Sequence, residues 1–432
     1  MKLLGSMEVK NNTLYIGGIS AEDLAKEYKT PLYVMDEALI RSQCRRYYKA
    51  FKAGNGKNRV AYAGKAFLTK AMCQIIDQEG LCLDVVSGGE LYTAHKSGFP
   101  MEKVYFHGNN KTPDEISMGI EYRVGTFVVD NFYEMELVNS LAKEAGVKQR
   151  ILLRLTPGIE AHTHDYIKTG QIDSKFGFTP LENNIMEAVK KADSFSNIEF
   201  GGIHCHIGSQ IFETQPYEDA VDTMLEIVAE IKEKAGLEVK ELDLGGGFGI
   251  YYKEWDDPLS IEDFSGVILN RAFEKCQELG MEIPALTIEP GRSIVGNSGT
   301  TLYTIGSIKE VPSIRKYVAV DGGMTDNIRP SLYDADYECA ICSKMEPEEK
   351  EAVTIAGKCC ESGDILIKDF EMAKAESGDI LAVFATGAYC YSMSNNYNKI
   401  PKAAVVLVNN GQTKLICKRQ SYEEMISNEL GL

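Results

Sequence analysis

The sequence predicts an α/β protein built as a (β/α)8 TIM-type barrel plus a C-terminal β domain that the N-terminal strand completes. Three observations carry this. Eight short apolar or β-branched runs lie between Arg59 and Glu289, most followed by a stretch of helical periodicity. After Glu289 the helical periods thin out, and strand-like runs separated by Gly- and Asp-containing turns take over. The first thirty-odd residues also read as strand. A chain of 432 residues is long enough for one large barrel and a smaller domain.

In chain order, Thr13–Ile16 and Leu32–Met35 are strand-like and are expected to join the β domain. The barrel strands are expected at Val60–Ala63, Cys82–Val86, Val104–Phe106, Thr126–Val129, Ile151–Leu155, Phe200–His204, Glu241–Leu244 and Ala285–Ile288. Lys65–Glu79, Asn131–Ala145, Leu181–Ala192 and Tyr217–Ala235 space apolar residues by three and four, as helices do. Val318–Val320, Glu351–Ala356, Ile380–Ala385 and Ala404–Asn409 read as strands of the β domain. The expected segments are therefore 1–33 joining the β domain, 34–288 as the barrel and 289–432 as the β domain. A doubly wound open sheet is the structural alternative for the alternating part.

The net charge of −17 argues against nucleic acid and anionic membrane surfaces as partners, since both select basic patches. No apolar run approaches 18 residues, so no membrane span is expected. After Met1 and Lys2 only Leu3-Leu4 is apolar before Gly5, which is no secretory signal. The expected location is cytoplasmic, where the eleven cysteines stay mostly as free thiols. Cys339 and Cys342 form a C-x-x-C with no second pair at finger-like spacing, so no metal is expected.

In such a barrel, chemistry sits at the C-terminal ends of the strands. The first strand there ends at Lys65 and the second in Ser87-Gly88-Gly89. The third ends in His107-Gly108-Asn109, and the fifth carries Arg154. The sixth carries His204-Cys205-His206 and then Gly208-Ser209. The seventh runs into Gly245-Gly246-Gly247-Phe248-Gly249, and the eighth into Glu289-Pro290-Gly291-Arg292. Each feature alone has an ordinary reading: a solvated lysine, tight turns, core histidines, an ion-paired arginine. Collected on one rim they suit pyridoxal phosphate (PLP) catalysis. That chemistry needs a lysine on a rigid element, glycine backbone amides for a phosphate, an acid opposite the pyridine nitrogen and a flat neighbour for the ring. Lys65, the Gly245–Gly247 and Gly208-Ser209 turns, Glu289 and His206 fill those places. The glycine run is not G-x-G-x-x-G and follows the seventh strand, which disfavours a nicotinamide cofactor.

Several motifs then carry a resemblance. They are Tyr62-Ala63-Gly64-Lys65-Ala66, Asp84-Val85-Val86-Ser87-Gly88-Gly89-Glu90, Gly202-Ile203-His204-Cys205-His206-Ile207-Gly208-Ser209, Asp243-Leu244-Gly245-Gly246-Gly247-Phe248, Glu289-Pro290-Gly291-Arg292, Cys360-Glu361-Ser362-Gly363-Asp364 and Gly387-Ala388-Tyr389. From about Pro31 to Asn398 the chain resembles the PLP decarboxylases that join an alanine-racemase-like barrel to a β domain, a group including ornithine and diaminopimelate decarboxylases. The resemblance implies that Lys65 is the Schiff-base lysine and that His206 stacks on the cofactor. It implies that Ser209, Gly247 and the backbone of Glu289 to Arg292 hold the phosphate, with Tyr389 closing on it. Asp84, Arg154, Gly246 and Gly291 complete the cofactor contacts, Glu289 faces the pyridine nitrogen, and Cys360 donates the proton. It also implies a homodimer with shared active sites, in which Cys360 and Glu361 reach the partner's cofactor.

Substrate chemistry separates the members of the group. The far end of ornithine or lysine is only an ammonium, whereas that of diaminopimelate is a whole amino acid, which calls for an arginine and a nearby acid. Arg292, Arg329 and Tyr333 in Ile328-Arg329-Pro330-Ser331-Leu332-Tyr333, Glu361 and Tyr389 are the expected substrate contacts, with the arginines as structural ion-pair formers the alternative. The segment from His162 to Phe178 also resembles the diaminopimelate branch. The competing readings are a decarboxylase of another basic amino acid or a carboxylated polyamine, a racemase, a catalytically dead homologue, and a metal-dependent barrel hydrolase suggested by His162-Thr163-His164 and His204-Cys205-His206.

Overall fold

The computed structural model describes residues 2–52, 56–158 and 173–432. Packing divides the chain into two compact units, Met1–Ser42 with Ile250–Asp257 and Ile294–Leu432, and Gln43–Gly249 with Pro258–Ser293. Residues 250–257, inside the range expected for the barrel, pack with the β unit.

In the barrel unit Arg59–Ala63, Cys82–Val85, Val104–Phe106, Thr126–Val129, Gln149–Leu155, Ile198–Cys205, Glu241–Asp243 and Ala285–Ile288 close into an eight-stranded barrel in sequence order. Every pairing is parallel, including the closure of the eighth strand on the first. The closed barrel, not the open sheet, is therefore the architecture. Five of the barrel unit's helices start where a side chain accepts a free amide of the first turn. Thr69, Ser87, Asn131 and Ser260 do so, and Thr112 forms a full capping box with Glu115. Thr69 also corrects one expectation. Lys65–Glu79 is not one helix: Gly64–Ala66 is a single 3₁₀ turn, the chain extends, and the helix Lys70–Gln78 begins after the threonine cap.

Strand side chains alternate, so inward positions recur every second residue. This stacks the interior in layers. A charged layer seals the N-terminal end. There Glu241 accepts from Tyr105 Oη at 2.6 Å, Thr287 Oγ1 at 2.6 Å, Arg150 Nη2 at 2.7 Å and Arg59 Nη1 at 3.2 Å. Above it Ala61, Tyr105, Val128 and Leu152 pack together with Cys82. Two residues further along these strands come Ala63, Asp84, His107, Asp130 and Arg154. Burial opposes the charge of Glu241, but Arg150 and Arg59 overcome it and hold the carboxyl below its usual range. Replacing Glu241 with Gln takes the charge from a buried carboxylate that holds half-buried Arg150 and exposed Arg59, so the urea midpoint of the barrel transition should fall by the equivalent of about 1–3 kcal/mol. An unchanged midpoint would show that the layer only fills space.

The β unit holds a large mixed sheet. Its order is Ile365–Ala373, Lys350–Ala356, Arg315–Val320, Gly299–Val311, Leu32–Asp36, Ala404–Asn409 and Gln412–Cys417, with Ile380–Val383 and Cys339–Ile341 paired beside it. Leu32–Asp36 lies between Gly299–Val311 and Ala404–Asn409, so the N-terminal chain does complete the β domain. That strand spans residues 33 and 34, where the expected boundary fell. Thr13–Ile16 instead sits in a separate three-stranded sheet with Glu8–Lys10 and Ile19–Ser20. Its Leu14 and Ile16 share one core with Leu24, Leu302, Val406 and Val408. Among the described residues no helix is long and apolar enough to cross a membrane.

Candidate active site

Lys65 stands exposed in the 3₁₀ turn that ends the first barrel strand. Two acids from the next βα segment act on it electrostatically. Burial pushes Asp84 up to about 6; Glu289 adds to the shift, while His107, Lys65 and Arg154 oppose it. Burial likewise pushes Glu90 up to about 7, although its carboxylate accepts from Val86 N at 2.8 Å. For a carboxyl raised in the fold, stability is full below the unfolded pKa and is lost as pH climbs through the folded one. Glu90→Gln should therefore leave the melting temperature unchanged near pH 4 and stabilise the protein at pH 8 by about 1–3 kcal/mol. Equal shifts at both pH values would contradict this.

The top layer of the barrel is polar. Glu289 follows the eighth strand, with His204 Nε2 3.2 Å from Oε2 and His107 Nε2 2.7 Å from Oε1. The second contact is close enough for an ion pair but is not aligned as a hydrogen bond, so Oε1 keeps an unmet acceptor. Burial opposes ionisation of Glu289; contact with the two imidazoles prevails and holds it well below the usual carboxylate range. Burial pushes His204 down to about 4, so at neutral pH it carries one proton. Bonding to the carboxylate places that proton on Nε2, in keeping with an Nδ1 that has no partner. Asp243 accepts from Gly245 N at 2.9 Å, and burial beside Glu289 holds it well above its usual value. Arg154, also buried, has its guanidinium 4.2 Å from the ring centre of Phe176 and its Nε 3.9 Å from Asp130.

The loops after strands six, seven and eight interlock. A Cβ on Gly246 would fall 2.2 Å from Glu289 O, and one on Gly247, at φ +106°, 2.5 Å from Gly208 O. Only glycine permits that approach. Gly246 N donates to His206 Nδ1 at 3.2 Å, which holds the imidazole by that edge. Burial, then the Lys65 and Arg154 cations, hold His206 well below its usual value and hence neutral. Arg292 Nη2 donates to Ser209 Oγ at 2.8 Å, tying the eighth loop to the sixth.

The remaining expected residues lie in the β unit. Cys360 and Glu361 are exposed on a turn built around buried Asp364, whose oxygens accept from Cys359 N at 2.8 Å and Met324 N at 2.6 Å. Cys360 N donates to Asn398 Oδ1 at 2.7 Å. Arg329 opens the short helix Arg329–Tyr333 and is only 8% exposed. Its guanidinium donates to Tyr252 Oη at 3.1 Å and to Tyr337 Oη, and lies 5.2 and 5.6 Å from their ring centres. Among the described residues it forms no ion pair. Tyr333 is half-buried one turn on, and Tyr389 holds a left-handed backbone at φ 64°.

The structure thus gathers Lys65, Asp84, Arg154, His206, Ser209, Gly246, Gly247, Glu289, Gly291 and Arg292 in the barrel unit, and keeps Cys360, Glu361, Arg329, Tyr333 and Tyr389 in the other. His162, Thr163 and His164, with the rest of the expected segment as far as residue 172, fall outside the described residues. The sequence reading put His107 and His204 on the rim and Asp243 and Glu90 within quoted motifs but gave none of the four a role at the cofactor, and it did not bring Tyr252 and Tyr337 to Arg329. The first three stand in line with expected site residues or follow inward positions by two. His107, His204 and Glu289 place their ligand atoms within 4.8 Å of one another, a donor set that a cation could also use. The rim fits PLP on its own terms. Oε1 of Glu289 is a buried anionic acceptor in need of one more N–H, which a protonated pyridine provides.

Comparison with known proteins agrees. Residues 37–296 match the family model described as pyridoxal-dependent decarboxylase, pyridoxal binding domain. The chain is 51% identical over 425 residues to a diaminopimelate decarboxylase of Bacillus subtilis strain 168, covering 98% of this chain and 97% of that one. It is 54% identical over 407 residues to one from Bacillus methanolicus, covering 94% of each. A crystal structure of a diaminopimelate decarboxylase from M. jannaschii in complex with L-lysine superposes with a TM-score of 0.93 at 38% identity, over 99% of this chain and 98% of that one. The fold and rim define a PLP-dependent carboxy-lyase, and the chain belongs to the diaminopimelate decarboxylase family.

Proposed function

We infer that this protein converts meso-2,6-diaminopimelate to L-lysine and carbon dioxide with pyridoxal 5'-phosphate, the last step of bacterial lysine biosynthesis. The observation that carries the substrate is Arg329, a buried cation with no acid partner among the described residues, in a chain of this family. A guanidinium stays charged in such a place and calls for an anion. The carboxylate at the far end of diaminopimelate supplies one, and ornithine and lysine have none there. Incubation with meso-diaminopimelate, L-lysine, L-ornithine and L-arginine should release carbon dioxide from the first alone, with one L-lysine formed per carbon dioxide. Comparable release from ornithine would refute the assignment.

The bound cofactor supplies an electron sink for the charge left by the departing carboxylate. Lys65 would provide the amine that anchors it. Neutral His206 would stack on the cofactor's ring, and ionised Glu289 would keep the ring nitrogen protonated. The amides of Gly246, Gly247, Gly291 and Arg292, with Ser209 and Tyr389, hold the phosphate, and Asp84 and Arg154 set the charge around it. Arg329 and Arg292 take the distal carboxylate, Glu361 the distal ammonium, and Tyr333 and Tyr389 border the substrate. Cys360 delivers the proton to the reacting carbon; a thiol, ordinarily near pKa 8.5, suits that transfer.

The active form is a homodimer in which Cys360 and Glu361 complete the partner's site. Cys360→Ala should retain the cofactor's absorbance and lose about 10²- to 10³-fold in kcat. Mixing it, after subunit exchange, with Lys65→Ala should restore up to about one quarter of the activity, because one site of each mixed dimer is intact. No recovery after verified exchange would contradict shared sites. The location is the cytoplasm, where the eleven free cysteines persist as thiols.

A further inference from the structure

The barrel's top layer holds four carboxyls, Asp84, Asp130, Asp243 and Glu289, facing two imidazoles and one guanidinium, His107, His204 and Arg154. The imidazoles do not share themselves evenly. Both reach Glu289, one at each oxygen, at 2.7 and 3.2 Å, whereas His107 stays 3.9 Å from Asp84. We propose that His107 and His204 are positioning residues that hold Glu289 between them, one imidazole at each oxygen, and aim it at the cofactor's ring nitrogen.

The geometry is that of a rigid clamp. His204 lies on the sixth strand, paired to Arg154 on one side and Asp243 on the other. His107 N donates to Val85 O at 2.8 Å, and the turn after it is pinned by Lys111, whose Nζ reaches Gly108 O and Val128 O at 2.9 Å and Glu134 at 2.7 Å. The two rings meet edge to face with centroids 4.9 Å apart, so each fixes the other. All three side chains are at most 7% exposed, where an anion without donors is unstable. The grip also leaves Oε1 an unmet acceptor for the ring N–H. In keeping with that hold, Asp84 and Asp243 are pushed up while Glu289 is held down.

The proposal rests on Glu289 as partner of the ring nitrogen, and the test separates the two claims. The full-length protein is freed of cofactor and titrated with pyridoxal phosphate and with its 1-deaza analogue, which has C–H in place of the ring nitrogen. His204→Phe and His107→Phe should each weaken pyridoxal phosphate at least about tenfold while changing the analogue less than about threefold. His204→Asn, which returns an N–H, should recover most of the loss. Equal weakening of both ligands, or none, overturns the proposal. Glu289→Gln should abolish discrimination between the ligands. If it does while both histidine variants discriminate as the wild type, the clamp alone is refuted; if it does not, the assignment of Glu289 falls and the clamp with it.

Discussion

Replacing Lys65 with alanine is expected to cut kcat by at least about 10³- to 10⁴-fold and to abolish the visible absorption of bound cofactor. The effect should be confined to chemistry. Lys65 is exposed on a short turn and forms no part of the barrel's packed layers, so the thermal transition of the cofactor-free protein should stay within about 0.5 kcal/mol of wild type. Lost activity with lost folding would point to a structural lysine. Retained activity would remove Lys65 from the reaction.

The second large effect is expected at Arg329, with opposite signs for function and stability. Arg329→Met should lower kcat/KM for meso-diaminopimelate by about 10²- to 10³-fold, mostly through KM, because the substrate's distal carboxylate loses its charged partner. The same change removes a cation buried between Tyr252 and Tyr337 with no acid beside it, so the unliganded protein should melt at an equal or higher temperature. A structural arginine behaves otherwise: stability and activity fall together. The kinetics and the melting curve of this one variant therefore distinguish recognition from scaffolding.

Much of this was legible in the chain. The barrel could be read because its strands are short, β-branched and regularly spaced, and all but the second and seventh proved as long as or longer than the apolar runs that announced them. Less legible were Gly299–Val311, Ile365–Ala373 and Gln412–Cys417. The last two are edge strands, half exposed and without clean alternation; the first changes from buried to exposed along its thirteen residues. The N-terminal boundary failed for a related reason. Leu32–Asp36 is buried at every position, and the partners that claim it, Gly299–Val311 and Ala404–Asn409, lie far along the chain.

At the site, motif residues stood out because a lysine, glycine runs and a Glu-Pro-Gly-Arg turn, each ordinary alone, all fall at the C-terminal ends of the expected strands. His107, His204 and Asp243 were seen at strand ends or within motifs but drew no role, since a single polar residue at a strand end does not show what it faces. Period two would have found them once a closed barrel was assumed. Tyr105 points inward, so His107 does as well; Glu241 does, so Asp243 follows. Arg329 could be named from its segment, but its tyrosine sleeve could not, because Tyr252 and Tyr337 come from separate loops.

The most direct test is chemical. The protein, loaded with pyridoxal phosphate, is reduced with borohydride, digested and mapped by mass spectrometry. A phosphopyridoxyl group on Lys65, with loss of the band near 420 nm, is the predicted result. A preparation that decarboxylates meso-diaminopimelate yet carries the label on another lysine, or on none, would contradict the account at its root.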